Sequence, residues 1–231
     1  MARVLLIAIF CLAAASAANA QTQQELTLND FYKEYRANQL SRGMFDRTEM
    51  IAGTPYDQAE FSEGKVFTTT NQTYTGVPLR FNIYTDEMEF IAEDGNVLAM
   101  AHPEIIRSVE IGDVLYLYTP YTTGNRMLRG FFRIPESGRV SLLVKPKVAL
   151  RQAEPPQPYK EAKPPTYLRM GDEYFLKAGQ DAAIKVGGKR EVLLIMNDKS
   201  SEMDTWLKHN KIKFNREEDL VRLVAHYNSL P

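Results

Sequence analysis

Between Phe61 and Leu150 apolar side chains recur at every second position. Val77, Leu79, Phe81 and Ile83 alternate with Pro78, Arg80, Asn82 and Tyr84, the period of a strand with one dry face. Thr85-Asp86 turns the chain, and Met88 and Phe90 then alternate with Glu87 and Glu89. Asp94-Gly95 reads as a type I′ hairpin turn, which needs two positive φ angles. Val97, Ala99 and Ala101 come next. Ile106 to Ile111 and Val114 to Tyr118 read as strands around Gly112-Asp113, and Arg129 to Ile134 and Arg139 to Leu150 as a hairpin about Pro135-Glu136-Ser137-Gly138. Upstream, Lys65 to Thr70 and Thr73 to Thr75 pair across Asn71-Gln72. Connections this short favour antiparallel neighbours, because parallel strands need longer crossovers. The pattern predicts an antiparallel β-meander of about seven to nine strands, forming a barrel or half-barrel.

Helical spacing brackets this region. Thr27 to about Leu40 reads as one helix, with Leu28, Phe31, Tyr32 and Tyr35 near one face. After residue 166 a hairpin around Gly179 is predicted, then helices over Lys189–Met196 and Ser201–His209. In the last helix Leu220, Leu223, Val224 and Tyr227 form one stripe. Asn215 and Glu218 have the spacing of a capping box at its start. Arg151 to Thr166 breaks both periods with Pro155, Pro156, Pro158, Pro164 and Pro165. Proline fixes φ and gives up its amide, so an extended spacer is expected there. The fold class that results is mainly β with a small α+β C-terminal part. The expected division is a leader (1–20), an N-terminal helix plus β domain (21–150), a proline-rich linker (151–166) and an α+β domain (167–231).

The leader is expected from Arg3, the apolar run Val4 to Leu12 and small residues ending in Ala18-Asn19-Ala20. That order is a secretory signal peptide, cut after Ala20. The apolar run is too short to cross roughly 30 Å of hydrocarbon, and no later segment is long and apolar enough. Cleavage would remove Cys11, the only cysteine, and with it any disulfide, thiolate nucleophile or cysteine ligand. The expected destination is the periplasm or outer surface of a Gram-negative bacterium.

Composition narrows the function. The chain has 28 Lys+Arg against 29 Asp+Glu and is 44% hydrophobic, too apolar for disorder and without the basic surplus that a nucleic-acid backbone calls for. His102, His209 and His226 do not sit at metal-ligand spacing. His209 lies near a helix C-terminus, where the dipole favours a cation. No Gly-x-Ser-x-Gly occurs, and Gly187-Gly188-Lys189 lacks the earlier glycine of a phosphate loop. Asp86, Glu87, Glu89, Glu93 and Asp94 form an acidic hairpin. Glycoside chemistry would need two carboxylates held apart across a cleft, and calcium six to eight oxygens. Alternation with Met88 and Phe90 points instead to a solvated outer face. No cofactor, metal or catalytic residue is expected.

The candidate ligand residues lie inside the β domain: Phe67, Phe81, Ile83, Met88, Phe90, Leu115 and Leu117. Small barrels are ordinarily filled by side chains, so these read first as a core; the functional reading is a pocket for an apolar, lipid-like ligand.

Three stretches carry a resemblance. They are Gly53-Thr54-Pro55-Tyr56; Val77 to Tyr84 leading to Asp86-Glu87-Met88-Glu89-Phe90; and Lys211 to Phe214 running through Glu217-Glu218-Asp219-Leu220 to Tyr227-Asn228-Ser229-Leu230. With these the chain resembles a group of secreted Gram-negative envelope proteins to which no activity is attached. The resemblance covers most of the chain after residue 20. It implies an envelope location and assigns no role to any residue. The expected role is non-enzymatic, through contacts with an envelope protein, or else carriage of an apolar small molecule.

Overall fold

The computed structural model describes Glu25–Leu26 and residues 51–231 apart from Glu93, Gln157, Tyr159 and Lys160. The expected leader and the helix over 27–40 lie outside the described residues. The fold is mainly β, with a closed five-stranded barrel, a second sheet and C-terminal helices. No helix among the described residues is long and apolar enough to cross a membrane.

The strands are β1 (Glu25–Leu26), β2 (Ser62–Thr68), β3 (Thr73–Asn82), β4 (Glu87–Ile91), β5 (Val97–Ala99), β6 (Ile106–Ile111), β7 (Val114–Thr123), β8 (Arg126–Glu136), β9 (Val140–Lys145), β10 (Val148–Arg151), β11 (Thr166–Arg169), β12 (Glu173–Ala178) and β13 (Ala183–Lys185). The helices are α1 (Lys189–Ile195), α2 (Ser200–His209) and α3 (Glu217–Ser229). β7 organises the molecule. Along one edge it pairs with β8 from Tyr116 to Thr123. Its other edge holds β6 over Val114–Leu117, then β13 in parallel at Tyr121 and Thr122. The circuit β7–β8–β9–β12–β13 is therefore closed, and β6–β2–β3–β4–β5 runs on from it as a curled open sheet.

The barrel uses strands from both sides of the proline-rich stretch. β12 pairs with β9 from Glu173↔Lys145 to Ala178↔Val140. The stretch itself is looped out: β10 and β11 form an antiparallel pair, and Glu154 and Lys163 bridge further along. Its two ends thus lie side by side, and one sheet joins the strands on its N-terminal side to those on its C-terminal side.

Strand alternation sorts the side chains into three cores. From β9 and β12, Leu143 and Phe175 point into the barrel, where they meet Phe132 and Ala183. Leu142 and Leu176, one residue along, point out against Val192, Met203, Leu220 and Leu223 of the helices. The third core lies under the open sheet, with Val66, Leu79, Met88, Phe90 and Val109 roofed by Tyr116 and Phe131. Alternation over β3 holds as the sequence predicts, with Val77 and Leu79 fully buried.

Two local details differ from expectation. The Asp94-Gly95 hairpin has a three-residue loop, because Ala92 N–H bonds the Asn96 carbonyl and Gly95 N–H the Ala92 carbonyl. Helix α3 starts at Glu217 with Arg216 as its cap, and no capping box forms. The carboxylates of its first turn are used elsewhere. Asp219 accepts the Lys213 N–H at 3.0 Å, and Glu217 binds the Arg133 guanidinium through two bonds of 2.7 and 2.6 Å. That bidentate pair fastens α3 to β8.

Candidate functional site

The seven expected ligand residues do not share one enclosure. Phe81, Ile83, Met88 and Phe90 sit together in the core of the open sheet, each at most 7% exposed. Leu117 packs in the barrel. Phe67 and Leu115 are half-buried and lie one residue out of step with Val66 and Tyr116, so they face the opposite side of the sheet. The barrel level next to Leu117 is occupied by rings: Tyr121, Phe132 and Phe175 meet edge to face with centroids 5.1 to 5.5 Å apart.

The acidic hairpin is not a solvated face at Asp86 and Glu89. Glu89 is 9% exposed. One oxygen accepts from Arg80 at 2.6 and 3.2 Å, and the other accepts the Asn82 amide at 2.9 Å. The Arg80 guanidinium lies 3.5 Å from the Tyr56 ring centre and 4.2 Å from that of Phe61. A charge removed from water needs such partners, so period two identifies the polar face of β4 but not the 51–61 segment that covers it.

Asp86 reaches across to the barrel. It accepts Lys145 Nζ at 2.8 Å and the Phe131 N–H at 3.3 Å. Lys145 Nζ also donates to the Phe131 carbonyl at 3.3 Å and lies 4.8 Å from the Phe132 ring centre. Gly130 makes room: a Cβ there would collide with the Asp86 carboxylate and come within 2.6 Å of Lys145 Nζ. Burial pushes the Asp86 carboxyl above its ordinary value of 3.8, and Lys145 and the Phe131 amide pull it back only in part. A raised folded value means that the folded state holds the proton more tightly than the unfolded chain. The stability this group adds is full below the unfolded value and is lost as pH rises through the folded one. A carboxyl-carbon NMR titration is expected to place Asp86 above 3.8, and Lys145→Met to move it higher still; a downward move would contradict the pairing.

Asp86 and Lys145 also mark where β8 loses its second neighbour. β9 pairs with β8 at Arg133 and Glu136 and then diverges. At Phe131 the two side chains replace the missing strand, one accepting its N–H and the other donating to its carbonyl. Beyond them β8 runs on to its turn with β7 on one side only, while β7 itself is still held by β13 at Tyr121 and Thr122. Thr123 pairs with Arg126, and Gly124 opens the two-residue turn with φ 57°, the position where glycine has no steric penalty. Arg126, Met127, Leu128 and Arg129 are all exposed, Met127 by 70% and Leu128 by 39%. By strand alternation the N–H and C=O of Met127 and Arg129 face the same edge as those of Phe131. Among the described residues no strand pairs with that edge from Arg126 to Gly130.

Alternation alone stops short of this hairpin. It ends β7 at Tyr118 and begins β8 at Arg129. Gly124-Asn125 is the available signal, a glycine-first two-residue turn. Pro120 fits because it stands opposite Arg129, whose backbone faces away from β7.

Other polar clusters are structural. The Tyr116 hydroxyl donates to Asp57 at 2.7 Å; burial first, then that carboxylate, pushes the phenol above its ordinary range. Arg169 bridges Asp57 and Asp172 at 3.4 and 3.0 Å. His209 donates to the Thr205 carbonyl at 2.8 Å, as expected near a helix end. It borders a shallow groove in which Trp206 stacks on His226 at 4.7 Å. Among the described residues no three His, Cys, Asp or Glu side chains could hold a metal ion together. Comparison with family models, with curated proteins and with solved structures finds no match.

Proposed function

We propose that this protein is a secreted envelope protein that works without catalysis, by holding another protein through the β7–β8 hairpin. The observation that carries this is the exposed Met127-Leu128 pair on a hairpin anchored in a closed barrel. Met127 and Leu128 project from opposite faces of the ribbon, so each face offers one apolar contact on a backbone that the β7 ladder already holds. Two of the five carboxylates of the acidic hairpin are engaged: Asp86 by Lys145 and Glu89 by Arg80. Pocket chemistry for an apolar ligand gains less support, because the candidate residues divide between the two sides of the sheet, Phe81, Ile83, Met88 and Phe90 on one and Phe67, Leu115 and Leu117 on the other.

The test compares the full chain with a Met127→Ser/Leu128→Ser variant as bait in envelope extract. The expected result is a protein retained by the parent chain and lost from the variant, with circular dichroism unchanged. Identical capture profiles would overturn the reading.

A further inference from the structure

We propose that the free edge of β8 receives an extended acidic segment of the partner, which adds to the sheet as one more strand. This rests on the reading of the hairpin as a contact surface and names how the contact is made. Three observations combine. First, the edge-facing backbone groups of Met127 and Arg129 have no strand beside them among the described residues. An unpaired edge is a template for an extended chain, with main-chain bonds giving affinity. Second, the template has a defined end. Asp86 and Lys145 already satisfy Phe131, so an added strand covers Arg126 to Gly130 and stops there.

Third, charge selects the occupant. Arg126 and Arg129 are exposed, and neither has an ion-pair partner among the described residues. They are three positions apart, so they project from opposite faces of the ribbon. A complementary strand therefore carries carboxylates three residues apart, one for each face. The same arithmetic disfavours a second copy of this chain. Antiparallel self-pairing centred on Leu128 would place the Arg129 side chains of the two copies diagonally on one face of the ladder, within reach of each other, and like charges there repel.

The probe is the capped peptide Thr-Glu-Val-Thr-Glu-Val-Thr, followed by fluorescence anisotropy and by amide exchange of the full chain, with a Lys-for-Glu peptide as control. Expected results are saturable binding of the acidic peptide alone and at least tenfold slower exchange of the Met127 and Arg129 amides when it is bound. Arg126→Glu/Arg129→Glu should weaken binding at least tenfold. Met127→Pro removes one edge donor, leaves both arginines and the β7 ladder intact, and should also weaken binding at least tenfold. Peptide binding that leaves both amides exchanging freely, or that survives Met127→Pro, overturns strand addition while a side-chain contact at the hairpin still stands. Preference of the hairpin for anionic phosphatidylglycerol vesicles over the peptide overturns it as well. If Met127→Ser/Leu128→Ser also leaves protein capture unchanged, the contact reading falls with it.

Discussion

Phe132→Ala is expected to cost about 4 kcal/mol of folding free energy, at the upper end of single-residue effects. Phe132 is 0% exposed at the centre of the barrel. It meets the Tyr121 ring from β7 and the Phe175 ring from β12, each at 5.1 Å. Those partners come from opposite sides of the proline-rich stretch, so the cavity left by truncation opens between strands that the chain joins only by closing the barrel. The loss should also be felt in the helices. β9 and β12 supply Leu143 and Phe175 to the barrel and Leu142 and Leu176 to the helical core. Trp206, the single tryptophan, packs against that helical core. Urea unfolding followed by Trp206 fluorescence and by far-ultraviolet circular dichroism should therefore shift together in the variant. A shift in one signal alone, or a cost below about 1 kcal/mol, would contradict a shared barrel.

Gly64→Ala is expected to cost about 3 kcal/mol for one added methyl group. Gly64 lies in β2 opposite Ile111 of β6. A Cβ there would collide with the Glu110 carbonyl oxygen and come within 2.8 Å of Leu79 Cδ1. Leu79 is itself 0% exposed and has no room to swing aside. The carbonyl belongs to the ladder, so it can retreat only by opening β2 from β6. Gly171→Ala is the matched control, since a Cβ there has nothing within 4 Å. Denaturant midpoints should separate the two variants clearly; equal midpoints would contradict the close approach of β2 and β6.

Much of this fold is legible because period two survives wherever one face is wet. β3 reads cleanly, and the stripe Leu220, Leu223, Val224 and Tyr227 of α3 is buried as its spacing implies. Closure of the barrel is not legible. Alternation tells which side of a strand is dry, not which strand lies beside it. β9 hides the problem further, since Leu142, Leu143 and Val144 are all buried on two faces and leave no alternation to read. The proline-rich stretch reads as a spacer on composition. Nothing local in Val148–Arg151 or Thr166–Arg169 announces that they pair. The site is harder still. Met127 and Leu128 are apolar, and a hydrophobicity pattern assigns such residues to a core; only tertiary structure shows that β9 stops pairing with β8 before it reaches them. Asp86 stands out in the sequence by its charge, while its partner Lys145 is 59 residues away in the chain.

The role of the hairpin depends on β8 being held on one edge by β7 and left open on the other beyond Phe131. Residue-resolved amide exchange along β8 in the isolated protein measures that directly. The predicted pattern is slow exchange at Leu128 and Gly130, whose amides face β7, fast exchange at Met127 and Arg129, and slow exchange again at Phe131, whose amide Asp86 accepts. Protection at Met127 and Arg129 equal to that at Leu128 and Gly130 would mean that the edge is already covered, and would contradict both the topology and the role assigned to it.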